Sequence, residues 1–215
     1  DGIRDSSVTG VQTCALPIFM ESITALVDLG CGSGLDLEWW ATRTTRDNKK
    51  TPLNIRCVGV DTNDELPIAR QYRNITYQKT DFEKTVQPLG NKLYDILWCH
   101  DAFQYVLNPL QTLLNWREIT NDNGMLILIL PQTTNIKQRS LSITQESGSF
   151  YHYTLVNLIH MLAVTGWDVR NGYFKKDLVG NWLHAAVCKS TNDPIDLKTT
   201  WIDMVGNNLL PESAE

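Results

Sequence analysis

The stretch Ala25-Leu26-Val27-Asp28-Leu29-Gly30-Cys31-Gly32-Ser33-Gly34 joins a short apolar run to three glycines at alternate positions. A run that is apolar on both faces predicts a buried strand, Ala25–Leu29. Leu35–Thr44 follows with helical character, and Asp36 and Glu38 near its start suit the positive end of a helix dipole. Glycines between strand and helix permit positive φ and let a ligand approach the backbone closely. The spacing is G-x-G-x-G, not the G-x-G-x-x-G of dinucleotide binders, and no Gly-Lys-Ser/Thr follows, so a P-loop is excluded.

Working outward, strands and helices alternate. Ile55–Val60 reads as a second strand closed by Asp61, and Asp64–Tyr72 as a short helix with Pro67 in its first turn. Ile75–Lys79 is a third strand, ending before Asp81 and Phe82, and Tyr94–Cys99 is a fourth. Leu110, Leu113 and Leu114 form one stripe of a helix over 109–119. Asn123-Gly124 predicts a turn before an unbroken apolar strand, Met125–Leu130. A helix over 154–165 stops at Gly166, and a strand pair, 167–174 and 182–189, follows. The remainder reads as loop with a short helix near 197–205. Such alternation predicts a mostly parallel sheet covered on both faces, with its ligand at the carboxyl ends of the strands. The loop 132–153 is polar until Phe150-Tyr151-His152-Tyr153, an aromatic cluster placed either to close over an acceptor or to pack a helix entry.

Composition narrows the class. Of 215 residues 42% are hydrophobic, and seven Trp, seven Tyr and five Phe give a core enough aromatic surface to exclude general disorder. The absence of any apolar run of membrane-spanning length argues against a membrane protein, and a formal net charge of -5 disfavours a nucleic-acid binder. Val8–Ile18 reads as the in-frame translation of a sequencing-library adapter, so residues 1–18 are expected to be a non-native segment. Without Asp1, Arg4 and Asp5 the 19 basic and 24 acidic residues become 18 and 22, and the charge argument stands. The expected division is then 1–18, a domain over 19–190, and a C-terminal extension over 191–215. Cys31, Cys57, Cys99 and Cys188 form no Cys-x-x-Cys pair, which indicates free thiols, a reducing, cytoplasmic setting and no metal site.

Asp61 and Asp81 add specificity to the glycine turn. A carboxylate closing the second strand can accept from both ribose hydroxyls, and one closing the third can accept from an exocyclic amine beside the Phe82 ring. With these pieces the sequence resembles the class I S-adenosylmethionine-dependent methyltransferases, through VDLGCGSG (27–34), GVD (59–61), TDF (80–82), YDILWCHDAFQYVLNP (94–109) and NGMLILILP (123–131). The fourth piece departs from the family's Leu-Glu-His-Val-x-Asp-Pro-like pattern at Gln104, Tyr105 and Asn108. The resemblance implies an α/β, Rossmann-like fold with a seven-stranded sheet of order 3-2-1-4-5-7-6 and strand seven antiparallel. It implies S-adenosyl-L-methionine as cofactor, with Asp28, Gly30, Cys31, Gly32 and Gly34 at the methionine end. Asp61 would bind the ribose and Asp81 and Phe82 the adenine. Cys99 and His100 would border the transferable methyl, His100 as candidate general base. The expected partner is a small-molecule methyl acceptor. Two other readings are a non-catalytic binding or scaffold protein on the same fold, and a dinucleotide or nucleotide-sugar enzyme, which the glycine spacing disfavours.

Overall fold

In the computed structural model the described residues are 23–45, 50–64, 66–84, 93–132, 150–177, 181–191 and 194–211. The adapter-like stretch and most of the loop before Phe150 lie outside them. Seven strands form one sheet: β1 (Ala25–Leu29), β2 (Arg56–Asp61), β3 (Ile75–Lys79), β4 (Tyr94–His100), β5 (Thr120–Pro131), β6 (Trp167–Asp177) and β7 (Trp182–Lys189). Their order is β3-β2-β1-β4-β5-β7-β6. β7 runs antiparallel to β5 and β6, and the other pairs are parallel. Among the described residues the α-helices are α1 (Leu35–Ala41), α2 (Pro109–Glu118), α3 (Leu155–Val164) and α4 (Trp201–Gly206), with 3₁₀ turns at Pro67–Arg70 and Phe103–Tyr105. No helix among the described residues is long and apolar enough to cross a membrane.

The central strands show why unbroken apolar runs were needed. In β5, Leu126, Leu128 and Leu130 join the cluster that packs against α2 and α3, while Met125, Ile127 and Ile129 join the one that packs against α1. Trp40, Trp98 and Trp116 are fully buried between these layers. Each aromatic side chain of this kind buries about 150–250 Å² and dominates the energetics of a core. Caps set the helix starts. The Asn108 side chain accepts from the Gln111 N–H ahead of Pro109, and Thr154 and Asn157 form a reciprocal capping box for α3. Gly166, at φ +83°, ends α3 in the left-handed conformation. The C-terminal residues pack onto the domain: Met204 is fully buried, and His160 Nε2 lies 2.7 Å from the Thr199 carbonyl.

Boundaries differ from the sequence expectations for local reasons. The helix expected over 64–72 is a single 3₁₀ turn, Pro67–Arg70, closed by i→i+3 hydrogen bonds; a segment this short does not sustain an α-helix. Helix α1 stops at Ala41, three residues early. β4 runs one residue further, through His100. Asn123 does turn sharply, at φ +63°, but inside β5: Tyr94 pairs with Thr120 and Ile96 with Met125, so Asp95 faces the four residues 121–124.

Asp95 holds that irregularity to the start of β1. Its Oδ2 accepts from Thr24 N–H (2.7 Å), Thr24 Oγ1–H (3.0 Å) and Ala25 N–H (3.0 Å), and its Oδ1 from Asn121 Nδ2–H (2.6 Å). Burial alone would raise this carboxyl, but the bonds from Thr24, Asn121 and Ala25 outweigh it and hold the carboxyl below its ordinary range. A depressed carboxyl stabilises the fold above its unfolded-state value of about 3.9 and loses that contribution as pH falls through the lower folded value. Asp95→Ala should therefore cost about 1–2 kcal/mol at neutral pH, with the gap to wild type closing in strong acid. Urea unfolding at several pH values measures it.

Candidate active site at the carboxyl ends of the strands

Beyond β1 the chain passes through Gly30, Gly32 and Gly34 at φ +81°, +51° and +82°. The N–H groups of Gly30 and Cys31 both donate to the Val60 carbonyl, at 2.8 and 3.1 Å. A Cβ on Gly30 would lie 2.4 Å from Ala102 Cβ and 3.3 Å from the Phe82 ring, whereas one on Gly32 would meet open space. The loop is thus clamped among β2 and the tails of β3 and β4, and Gly32 is its open point.

Around it stand the acidic groups. Asp61, ending β2, accepts from Gly32 N–H through Oδ2 (2.9 Å) and from Asn63 N–H through Oδ1 (3.2 Å). A carboxylate has about four lone-pair sites, so this leaves it acceptor capacity. Asp81 accepts from Glu83 N–H (3.0 Å), and Lys84 Nζ lies 3.7 Å from its other oxygen. Phe82 packs on Trp116 at 6.2 Å, and its carbonyl accepts from the Trp116 indole. Asp28 is 3% exposed on the α1 side of β1, in register with Gly59 and Trp98. Burial, then the charges of Asp36 and Asp61, push its carboxyl well above the ordinary value. Neither Asp28 nor Asp61 has a Lys or Arg ion-pair partner among the described residues.

His100 ends β4 with its Nδ1 2.8 Å from Asp36 Oδ2, the oxygen that also accepts from the Trp98 indole N–H at 3.0 Å. Trp98 and Trp182 lie edge-on to its ring, at 6.4 and 5.3 Å. Asp101 follows at φ +54°. Gln104 is buried and donates through Nε2 to both Asp101 O (3.0 Å) and Asp101 Oδ1 (2.7 Å). Two acceptors on Nε2 fix the amide orientation, and Oε1 is left buried without a partner among the described residues. The Gln104 carbonyl accepts from Phe150 and Tyr151 N–H, and Tyr151 Oη–H donates to Leu107 O. Glu83 Oε1 accepts from the Leu107 and Asn108 N–H groups, tying the β3 tail to the β4 tail.

Most residues picked from the sequence therefore meet at one edge: Asp28, Gly30, Gly32, Gly34, Asp61, Phe82 and His100, with Asp81 in the adjoining turn. Two thiols stand apart from it. Cys31 Sγ fills the space over Gly59, and Cys99 is fully buried on the α2–α3 side beside the Ala102 and Phe103 N–H groups; burial raises both thiols. Sequence reasoning missed the roles of Asp36, Glu83 and Trp182. Asp36 was legible only as a helix-dipole residue, because its partner His100 lies 64 positions away. The departures at 104 and 108 keep local functions, since Asn108 caps α2 and Gln104 pins Asp101.

The raised Asp28 carboxyl has a consequence for the ligand-free protein. A carboxyl that binds its proton more tightly when folded contributes most below its unfolded-state value, and that contribution is lost as pH rises through the folded value. The stability of an Asp28→Asn variant relative to wild type should accordingly climb with pH from the acid range toward neutrality. Thermal unfolding across that range reads the trend, and a flat difference would refute it.

Residues 27–128 match the family model described as a methyltransferase domain. A search of curated protein sequences gives no match. Among solved structures, a chain of the Haloferax volcanii complex between a methyltransferase activator and a methyltransferase is similar, with 18% identity and TM-score 0.61 over 78% of this chain and 83% of that one. So is the CurJ carbon methyltransferase, at 15% identity and 0.61, over 79% of this chain and 49% of that longer one. The Burkholderia thailandensis 1,6-didemethyltoxoflavin-N1-methyltransferase, solved with 1,6-didemethyltoxoflavin and S-adenosylhomocysteine, gives 11%, 0.58, 81% and 76%. At these identities the neighbours speak for the fold: the sheet is the Rossmann-like sheet of the class I methyltransferases, and residues 27–128 within it match a methyltransferase domain, whose family uses S-adenosyl-L-methionine as cofactor.

Proposed function

We propose that this protein transfers the methyl group of S-adenosyl-L-methionine to a small-molecule acceptor. The observation that carries the reading is the buried Asp28 beside Asp36 and Asp61 at a glycine loop, without a Lys or Arg ion pair to Asp28 or Asp61 among the described residues. Buried carboxylates call for positive charge, and this cofactor brings a sulfonium and an ammonium. When bound, it supplies an already activated methyl group.

The chain's own groups then divide the work. Asp28 and the backbone of Gly30, Cys31, Gly32 and Gly34 hold the methionine end. Asp61, with unused lone pairs, takes the ribose hydroxyls. Asp81 and Phe82 meet the adenine, and the backbone at Cys99 and the side chain of His100 border the methyl. Removing water and aligning the acceptor atom supply most of the catalytic effect. The same acidic groups repel polyanions, which argues against nucleic-acid acceptors. Around the β4 tail, Leu107 (63% exposed), Phe150 (59%), Tyr151 and Tyr105 present apolar surface, and the Gln104 Oε1 lacks a donor among the described residues. That combination suits a small, uncharged or cationic acceptor carrying a hydrogen-bond donor. The buried free thiols of Cys31, Cys57 and Cys99 fit a reducing, cytoplasmic setting.

Two measurements test this. Methyl-labelled S-adenosylmethionine incubated with the protein and pools of small hydroxyl, thiol and amine compounds should deliver label to the small-molecule fraction; label confined to added RNA or protein, or none in any fraction, would overturn the acceptor assignment. In calorimetry, Asp61→Ala should weaken S-adenosylhomocysteine binding by about 1.5–3 kcal/mol, the scale of lost hydrogen bonds to a charged group. Unchanged affinity would remove Asp61 from the ribose site.

A further inference from the structure

Asp36 Oδ2 receives two hydrogen-bond partners from β4, the Trp98 indole N–H at 3.0 Å and His100 Nδ1 at 2.8 Å. A carboxylate oxygen only accepts, so Nδ1 carries a proton, and Nε2 has no hydrogen-bond partner among the described residues. Two edge-on tryptophans flank the ring, while about a fifth of the His100 side chain stays exposed (21%). β4 is paired to β1 with Trp98 beside Asp28, so His100, two residues on, shares Asp28's face at the strand tips. Asp36 also acts electrostatically on Asp28, placing the His100–Asp36 pair against the same acidic group that the cofactor's charge is to satisfy. Two other histidines lack this arrangement: His160 Nε2 is bonded to Thr199 O, and His184 is buried with its Nδ1 lacking a partner among the described residues.

We infer that Asp36 is a positioning residue that fixes His100 with Nε2 toward the methyl site, and that the methyl acceptor is a nucleophile protonated at rest: a hydroxyl, a thiol or an acidic N–H or C–H. This rests on the methyltransferase reading above. His100 Nε2 takes the proton from the acceptor atom as that atom bonds to the methyl carbon. The electron pair of the broken methyl–sulfur bond stays on sulfur, which becomes a neutral thioether. The positive charge thus passes to the imidazolium, where Asp36 balances it, and the proton leaves to water from the exposed ring edge. A thioether or a free-base amine needs no such base before attack.

The test needs no known acceptor. Diethyl pyrocarbonate acylates unprotonated imidazole nitrogen, and peptide mass spectrometry reads each histidine separately. His100 should react, and S-adenosylmethionine at ten times its Kd should slow that reaction by about tenfold, as mass action requires for a fully shielded site, while exposed His152 reacts unchanged. Long-range ¹⁵N–¹H spectra should show His100 as the Nδ1–H tautomer in wild type and shifted toward Nε2–H in Asp36→Ala. Asp36→Asn, which keeps an acceptor oxygen, should restore the tautomer and serves if the alanine variant fails to fold. Cofactor that binds by calorimetry without shielding His100, or an Nε2–H tautomer in wild type, overturns the inference and leaves the methyltransferase reading standing. Failure of the cofactor to bind overturns both. Once an acceptor is found, label on a thioether sulfur or a free-base amine nitrogen would overturn the acceptor class.

Discussion

The site depends on a steric constraint: the loop after β1 must lie flat against its neighbours. Two successive N–H groups, from Gly30 and Cys31, converge on the Val60 carbonyl, and Ala102 stands where a side chain on Gly30 would be. Gly34 is held as closely by Leu66 and Ile68, and Gly59 by Leu37, Cys31 and Leu66. Only residues without Cβ let β1, β2, and the tails of β3 and β4 approach to this degree. Once they do, the Gly32 N–H reaches Asp61, and the strand tips become one continuous edge. The buried thiol of Cys31 belongs to this packing and not to chemistry, since burial and the nearby carboxylates disfavour its thiolate.

Electrostatics then sets the character of that edge. Asp28 is buried where its neighbours are Asp36 and Asp61, an arrangement that by itself costs folding free energy. Such a cost is tolerated where a ligand of opposite charge removes it. Asp36 offsets part of the local strain differently, through the Trp98 indole and the His100 ring. The acidic cluster and the His–Asp pair are therefore one connected system, spanning the tips of β1, β2 and β4 and the first turn of α1.

Away from the glycine loop, long-range hydrogen bonds to backbone position the remaining walls. Glu83 joins the β3 tail to residues 107 and 108, and the Gln104 carbonyl receives the chain as it returns at Phe150 and Tyr151. Tyr153 stacks on Phe103 at 5.3 Å and leads into the capped start of α3. The aromatic cluster at 150–153 is thus divided: Tyr153 packs the helix entry, while Phe150 and Tyr151 stay exposed beside the β4 tail.

The sequence by itself determined the architecture. Period and apolarity mark a strand from its own residues, and the glycine spacing with Asp61 and Asp81 at strand ends pointed to the carboxyl edge of the sheet, where the structure brings these residues together. Local chemistry also explains where it fell short: Pro67 and a short apolar span yield a 3₁₀ turn, and Asn123 bends within a strand because Asp95 and Asn121 bond across it. What only the tertiary structure decided was which side chains face one another. Cys99 and His100 are adjacent in the chain but lie on opposite faces of β4, one in the core and one against Asp36. Asp36 and His100 are 64 residues apart, and no pattern within either segment encodes their meeting. The crossover from β3 back to β4 on the far side of β1, and the register of the β1–β4 pairing, create that contact, and both are properties of the assembled sheet.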